Sequence, residues 1–130
     1  MNLKQLLMLD LSMAAAPLIG AASAQQAKPQ YVQVAEIDID PAQIESYKSA
    51  AKEQIDTAIR VEPGVLVLYS VSGQDDPAHV TVFEIYRDID AYKAHLQSEH
   101  FKKYKTTTET MVKSLKLISV QPIALGAKPM

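Results

Sequence analysis

Two of the three histidines in the chain, His95 and His100, are the residues best suited to acid–base chemistry. An imidazole titrates near neutral pH, so it can accept or release a proton at little energetic cost. A carboxylate, Glu84, interrupts the apolar strand that precedes them, and a buried charge needs a partner. We therefore expect Glu84 to hold one imidazole in a fixed tautomer. In the alternative interpretation, His95 only satisfies Glu84 within the core, and His100 only caps a helical turn.

Aromatic residues on the predicted strands could form the wall of a pocket. Tyr69 and Tyr86 would place a phenol and an aromatic surface near the same site. Aromatic strand residues nevertheless belong to the core more often than to a pocket. Both interpretations stay open at this point.

The sequence disfavours a metal site and a nucleotide cofactor. His95 and His100 are five residues apart, which places them on different faces of a straight helix. The chain has no cysteine and no H-E-x-x-H motif. It also has no glycine-rich loop between a strand and a helix, where a phosphate group would bind. We expect no metal and no cofactor.

A change of hydrophobic period positions the two histidines. Residues 80–86 are mostly β-branched or aromatic and predict a buried strand. Asp88 is then a predicted N-cap for a helix that carries His95, and Ser98 is a predicted N-cap for a second helix that carries His100. The two histidines therefore lie on either side of a helix break.

The remaining elements predict an α+β fold of the ferredoxin-like, split βαβ type. Asp40 and Pro41 begin a long amphipathic helix that continues to Arg60, and the tripeptide at 62–64 ends it. Alternating patterns predict the other strands at 31–39, 65–72 and 114–120. The order β-α-β-β-α-α-β is that of a four-stranded antiparallel sheet with helices on one face.

These residues resemble the antibiotic biosynthesis monooxygenase superfamily. Its members carry a strand with a glutamate and an aromatic residue two positions later, followed by A-x-x-x-H and S-x-H-F. The matching positions are Glu84 and Tyr86, Ala91 to His95, Ser98 to Phe101, and upstream Glu62 to Val65 and Tyr69. The resemblance extends from about Tyr31 to Val120. It implies a dimeric α+β barrel in which two sheets pair, so we expect a homodimer.

The resemblance also implies a cofactor-independent oxygenase that acts on a small aromatic quinol or phenol. In such chemistry the deprotonated substrate itself reduces dioxygen, and the protein supplies a dry pocket, orientation and a base. That base would be His95 or His100. The implied substrate-binding residues are Tyr69, Tyr86 and Phe101.

Two subgroups of the superfamily do not fit this chain. The polyketide oxygenases and the haem degraders rely on an asparagine and a tryptophan. Here the only asparagine is Asn2, there is no tryptophan, and Lys105 occupies the position of the haem-ligating histidine. Haem binding is therefore not expected. Two other functions remain open: an isomerase or lyase that acts on a small hydroxy-ketone, and a non-catalytic small-ligand-binding module in a stress response.

The composition is typical of one globular domain. The 130 residues are 48% hydrophobic and 22% charged. A net charge of −2 provides no field that would attract nucleic acid. We expect residues 31–122 to form the domain, with a flexible leader at 25–30 and a tail at 123–130.

Residues 1–24 have the pattern of a secretory signal peptide. Lys4 precedes an apolar run, and Ala22-Ser23-Ala24 forms a cleavage site. Cleavage after Ala24 predicts a periplasmic or secreted protein that does not stay in the membrane. Asp10 opposes insertion of this run, and the alternative is an N-terminal helix of the mature protein.

Overall fold

The computed structural model describes residues 27–130, and the predicted signal peptide lies outside this range. Seven helices and strands follow one another along the described chain. They are β1 (Tyr31–Ile39), α1 (Ile44–Val61), β2 (Val65–Ser72), β3 (His79–Tyr86), α2 (Ile89–Leu96), α3 (Glu99–Thr108) and β4 (Val112–Val120). A 3-10 turn, Pro41–Gln43, precedes α1. None of the helices within residues 27–130 has the length and apolarity needed to cross a bilayer.

The four strands form a single antiparallel sheet in the order β2-β3-β1-β4. This is the ferredoxin-like arrangement, so the predicted fold class is confirmed. The register places Gln33 of β1 opposite Glu84 of β3, and Glu84 opposite Leu68 of β2. Because side chains on paired residues share a face, these three lie side by side on the face that the helices cover.

The helix starts predicted at Asp88 and Ser98 are confirmed by their capping hydrogen bonds, whereas Asp40 caps the 3-10 turn and α1 itself begins at Ile44. The Asp40 carboxylate accepts from the Ala42 amide at 3.1 Å, and the Asp88 carboxylate accepts from the Ala91 amide at 2.8 Å. The Ser98 hydroxyl accepts from the amide of residue 101 at 3.3 Å and donates to the His95 carbonyl at 2.6 Å. Ser98 therefore ends one helix and begins the next.

Two groups of buried apolar side chains hold the helices on the sheet. The first joins β1 to α1 and includes Ile37, Ile39 and Tyr47. The second lies where α1, β2 and α2 meet, and includes Ala58 and Ala91. The second group fixes the end of α1 against α2, which is where the histidines lie.

Candidate active site

One carboxylate oxygen joins both candidate histidines. Glu62 Oε2 lies 2.7 Å from His95 Nδ1 and 2.5 Å from His100 Nε2. The His95 side chain is only 2% exposed, and the other two are 15% exposed. Because an ionised carboxylate can only accept, both ring nitrogens donate to it. Glu62 therefore fixes the tautomer and the orientation of both rings.

The expectation that five-residue spacing would separate His95 from His100 is wrong. That expectation assumed a straight helix, whereas the chain changes direction between α2 and α3 at Ser98. The change brings the two ring centroids to 5.9 Å. The predicted helix break therefore brings the two histidines together, whereas five-residue spacing on a straight helix would separate them.

Glu84 does not pair with either histidine, contrary to the sequence expectation. It accepts a hydrogen bond from the Tyr86 hydroxyl at 2.6 Å and another from Gln33 Nε2 at 3.3 Å. Both bonds use Oε1, because the strand register fixes these neighbours beside it. Burial raises the pKa of Glu84, and the two hydrogen bonds oppose this rise.

A cavity of about 250 Å³ lies between the sheet and the three helices. Its lining is mainly apolar, and its polar groups come from both layers. The sheet contributes Gln33, Glu84 and Tyr86, and the helices contribute Gln54, Tyr92, His95 and Tyr104. Leu115 and Leu117 of β4 also line it and are about half exposed, so the cavity opens beside β4.

His95 lies between Glu62 and this cavity. It lines the cavity and Glu62 does not, so the ring directs Nδ1 away from the cavity toward the carboxylate. Within residues 27–130 no side chain forms a hydrogen bond with Nε2, which remains for a ligand. Burial lowers the pKa of His95, and the Glu62 carboxylate opposes this shift. The imidazole is therefore mostly neutral at pH 7 and can accept a proton.

The structure brings together only some of the predicted substrate-binding residues. Tyr86 and Phe101 line the cavity, with ring centroids 5.5 and 4.9 Å from that of His95. Tyr69 does not: it lies opposite Phe83 on the other face of the sheet and is 53% exposed. Strand alternation between residues 68 and 69 accounts for this difference. His100 also does not line the cavity and reaches the site only through Glu62.

Several polar residues of the site were not identified from the sequence. Glu62 was noted in the turn that ends α1 and in the family motif at 62–65, and it was given no role in the site. Tyr47 and Tyr104 share a hydrogen bond of 2.6 Å between their hydroxyls, and burial raises the pKa of each. Gln54 is buried, and its Oε1 has no hydrogen-bond partner among the described residues. The available signals were a polar residue, Gln54, on the buried apolar face of α1 and the position of Glu62 directly after the end of that helix.

The fold and the site define a ferredoxin-like domain with an internal, largely apolar pocket and a buried histidine at its wall. The sequence model of the antibiotic biosynthesis monooxygenase family matches residues 30–107. The chain belongs to this family. No match is found among the curated proteins.

Solved structures agree with this assignment. A protein from Bacteroides thetaiotaomicron that carries the family's name is 46% identical, with a TM-score of 0.75 over 78% of this chain and 97% of that chain. Proteins with the same family name from Nitrosomonas europaea and Caulobacter crescentus are 21% and 17% identical, with TM-scores of 0.69 and 0.70. They cover 74% and 80% of this chain, and 92% and 99% of their own. At these lower identities the likeness concerns the fold alone.

Proposed function

We propose that the protein is a cofactor-independent monooxygenase that acts on a small aromatic quinol or phenol, with His95 as the general base. The observation that carries the proposal is the placement of His95. Its ring is held by Glu62 at Nδ1 and lines a largely apolar cavity, which leaves Nε2 for a ligand. This is the geometry that a general base requires. The monooxygenase name of the 46% identical structure supports the same reaction class.

The proposed reaction begins when His95 Nε2 removes the proton from a substrate hydroxyl. The phenolate becomes electron-rich and reduces dioxygen, and a bond forms between oxygen and a ring carbon. The imidazolium returns its proton to the peroxide anion and so forms a hydroperoxide on a ring carbon that still carries its hydrogen. Cleavage of the O–O bond and of that C–H bond releases water and leaves a carbonyl group, so the product is a quinone. One oxygen atom stays bonded to the ring carbon, the other leaves as water, and the substrate supplies all the electrons.

Other residues of the cavity position the substrate in this proposal. The rings of Phe101 and Tyr86 flank His95 and offer flat surfaces for an aromatic ring. Glu84 Oε2 forms no hydrogen bond with a described side chain, and so it can bind a second substrate hydroxyl. His100 holds Glu62 and does not contact the substrate. This leaves His95 as the base and gives His100 a positioning role.

The proposal includes a homodimer and export. The face of the sheet opposite the helices exposes Tyr69, Val71 and Ile118, and a second copy could cover these side chains through a symmetric contact. Sedimentation of the purified protein tests the dimer. Export is proposed from the signal-peptide pattern, and sequencing the N-terminus of the protein recovered from cells tests cleavage after Ala24.

Oxygen uptake with a panel of benzoquinols, naphthoquinols and phenols tests the reaction. We expect uptake above the rate of autoxidation, with one atom of labelled dioxygen recovered in the product. His95→Gln should abolish the enzymatic rate, and His79→Gln, outside the site, should retain it. Failure of every substrate to give a rate above autoxidation would contradict the proposal.

The isomerase or lyase alternative has one observation in its favour. Two acid–base groups, His95 and Glu84, line the same cavity, and a proton shuttle needs a pair of this kind. The discriminating measurement is deuterium exchange of a hydroxy-ketone under nitrogen. Exchange that depends on His95 and consumes no oxygen would favour this function over the oxygenase.

A further inference from the structure

Three groups that commonly ligate transition metals converge at the end of α1. Glu62, His95 and His100 each offer one ligand atom, and these atoms all lie within 4.8 Å of one another. We propose that these three residues bind one divalent ion of the zinc class. The ligand atoms would be a Glu62 carboxylate oxygen, His95 Nδ1 and His100 Nε2.

The donor set determines which ions fit. Two imidazoles and one carboxylate suit Zn²⁺, Co²⁺ or Ni²⁺ and are unsuited to Ca²⁺ or Mg²⁺, which prefer oxygen ligands. Three protein ligands leave further coordination positions for water or a small anion, as in open zinc sites. The partial exposure of Glu62 and His100 provides a route for the ion from solvent.

The ion would replace the two hydrogen bonds to Glu62. Metal–ligand bonds of about 2.0–2.1 Å at tetrahedral angles place ligand atoms about 3.3 Å apart. The present separations from Glu62 Oε2 are 2.7 Å to His95 Nδ1 and 2.5 Å to His100 Nε2. The carboxylate oxygen must therefore move back by less than 1 Å. The three ligand atoms now lie within 4.8 Å of one another, so the two imidazole nitrogens must also come to about 3.3 Å from each other. Rotation of the side chains can supply both changes. Glu62 follows the end of α1, His95 lies on α2 and His100 lies on α3. The packing of these three helices holds the ligands together before any ion binds.

Metal binding has a consequence for the cavity through the tautomer of His95. A neutral imidazole carries one proton, and coordination at Nδ1 requires that proton to be on Nε2. The nitrogen that faces the cavity would then be an N–H donor and no longer an acceptor. The ion would then reversibly inhibit the monooxygenase, because His95 could no longer act as its base. This inhibitory role rests on the proposed function.

The direct test is Co²⁺ and Zn²⁺ binding to the purified full chain, without an affinity tag and after chelator treatment. We expect one ion per chain, with a Co²⁺ visible absorption spectrum typical of a low-coordinate site with nitrogen and oxygen ligands. Glu62→Gln and His100→Gln should each weaken binding by about 100-fold, whereas His79→Gln should bind as the unaltered protein does. If the Glu62 and His100 variants bound the ion with the affinity of the unaltered protein, the proposed site would be overturned.

A second measurement avoids any variant that fails to fold. The imidazole nitrogen resonances of the unaltered protein can be followed by NMR during addition of Zn²⁺. We expect His95 Nδ1 and His100 Nε2 to shift together at one equivalent, with a proton appearing on His95 Nε2, while His79 does not change. A shift at His79 alone, or no shift at one equivalent, would overturn the proposal.

Binding and inhibition can fail separately. Zn²⁺ bound at these residues in a protein with no oxygenase activity would support the metal site and contradict the proposed function. An active enzyme that binds no ion would contradict the metal site alone. In an active enzyme that binds Zn²⁺, chelation should restore the rate, and a rate that does not fall with occupancy would overturn the inhibitory role.

Discussion

Gly64 lies so close to Ala91 that a Cβ on the glycine would come within 2.6 Å of the alanine Cβ. The turn after α1 and the first turn of α2 are therefore in direct contact. The Arg87 amide also donates to the Gly64 carbonyl at 2.8 Å. Glu62 begins this turn, so the contact between Gly64 and α2 helps to place the carboxylate beside His95.

The first prediction concerns this contact. Gly64→Ala should lower the free energy of unfolding by about 1–3 kcal/mol, because the methyl group overlaps Ala91 in a packed region. Gly126→Ala is the matched control, since no atom lies within 4 Å of a Cβ there. Urea denaturation of both variants makes the comparison. Equal stability of the two variants would mean that α2 moves away without cost.

The second prediction concerns the carboxylate that joins the histidines. Glu62→Gln removes the charge that holds His95 Nδ1–H, so the ring loses its fixed tautomer. We expect kcat with the best quinol substrate to fall by about 10–100-fold with little change in KM, because Glu62 does not line the cavity. The control is Glu53→Gln, an exposed glutamate of α1 that contacts Lys103. A proportional rise in KM with kcat unchanged would contradict a role through His95.

The sequence was sufficient to predict the fold because its patterns are local. Strand alternation and the capping residues Asp88 and Ser98 follow from neighbouring positions alone. The same alternation also separates the two faces of β1. Those local rules determined the element order, and the order determined the sheet.

The site was only partly predictable because its contacts are not local. Glu62 meets His95 across 33 positions and His100 across 38, and no sequence period reports such a distance. The choice of Glu84 as the partner followed from its position within a core strand. In the folded protein Gln33 and Tyr86 already satisfy that carboxylate. Strand alternation in β2 could have placed Tyr69 correctly. Leu68 faces the helices, so the next residue, Tyr69, must point to the opposite face of the sheet.

The third prediction tests the hydrogen bond between Tyr86 and Glu84. Tyr86→Phe leaves the ring in place and removes the hydroxyl that donates to the buried carboxylate. We expect a loss of about 1–2 kcal/mol in the free energy of unfolding. Tyr69→Phe, on the neighbouring strand, removes a hydroxyl that forms no hydrogen bond within residues 27–130 and should change stability by less than about 0.5 kcal/mol. Equal losses in thermal or urea unfolding would show that the buried hydroxyl has no special role.

The fourth prediction follows from the raised pKa of Glu84. Burial is the largest cause of the shift, so the folded state binds the proton more tightly than the unfolded state does. The stability that Glu84 contributes is therefore fully present below its unfolded pKa. It is lost as the pH rises through the higher pKa of the folded state.

Glu84→Gln isolates this contribution because the amide is of similar size and does not ionise. We expect the stability of the unaltered protein to decline relative to Glu84→Gln as the pH rises from about 4, near the unfolded pKa of a glutamate, through the higher pKa of folded Glu84. Urea denaturation of both proteins across that range gives the difference at each pH. Because the subtraction removes the titration of all other groups, the remaining slope belongs to Glu84. A difference that is constant with pH, or that changes in favour of the unaltered protein, would contradict the buried carboxyl at this position.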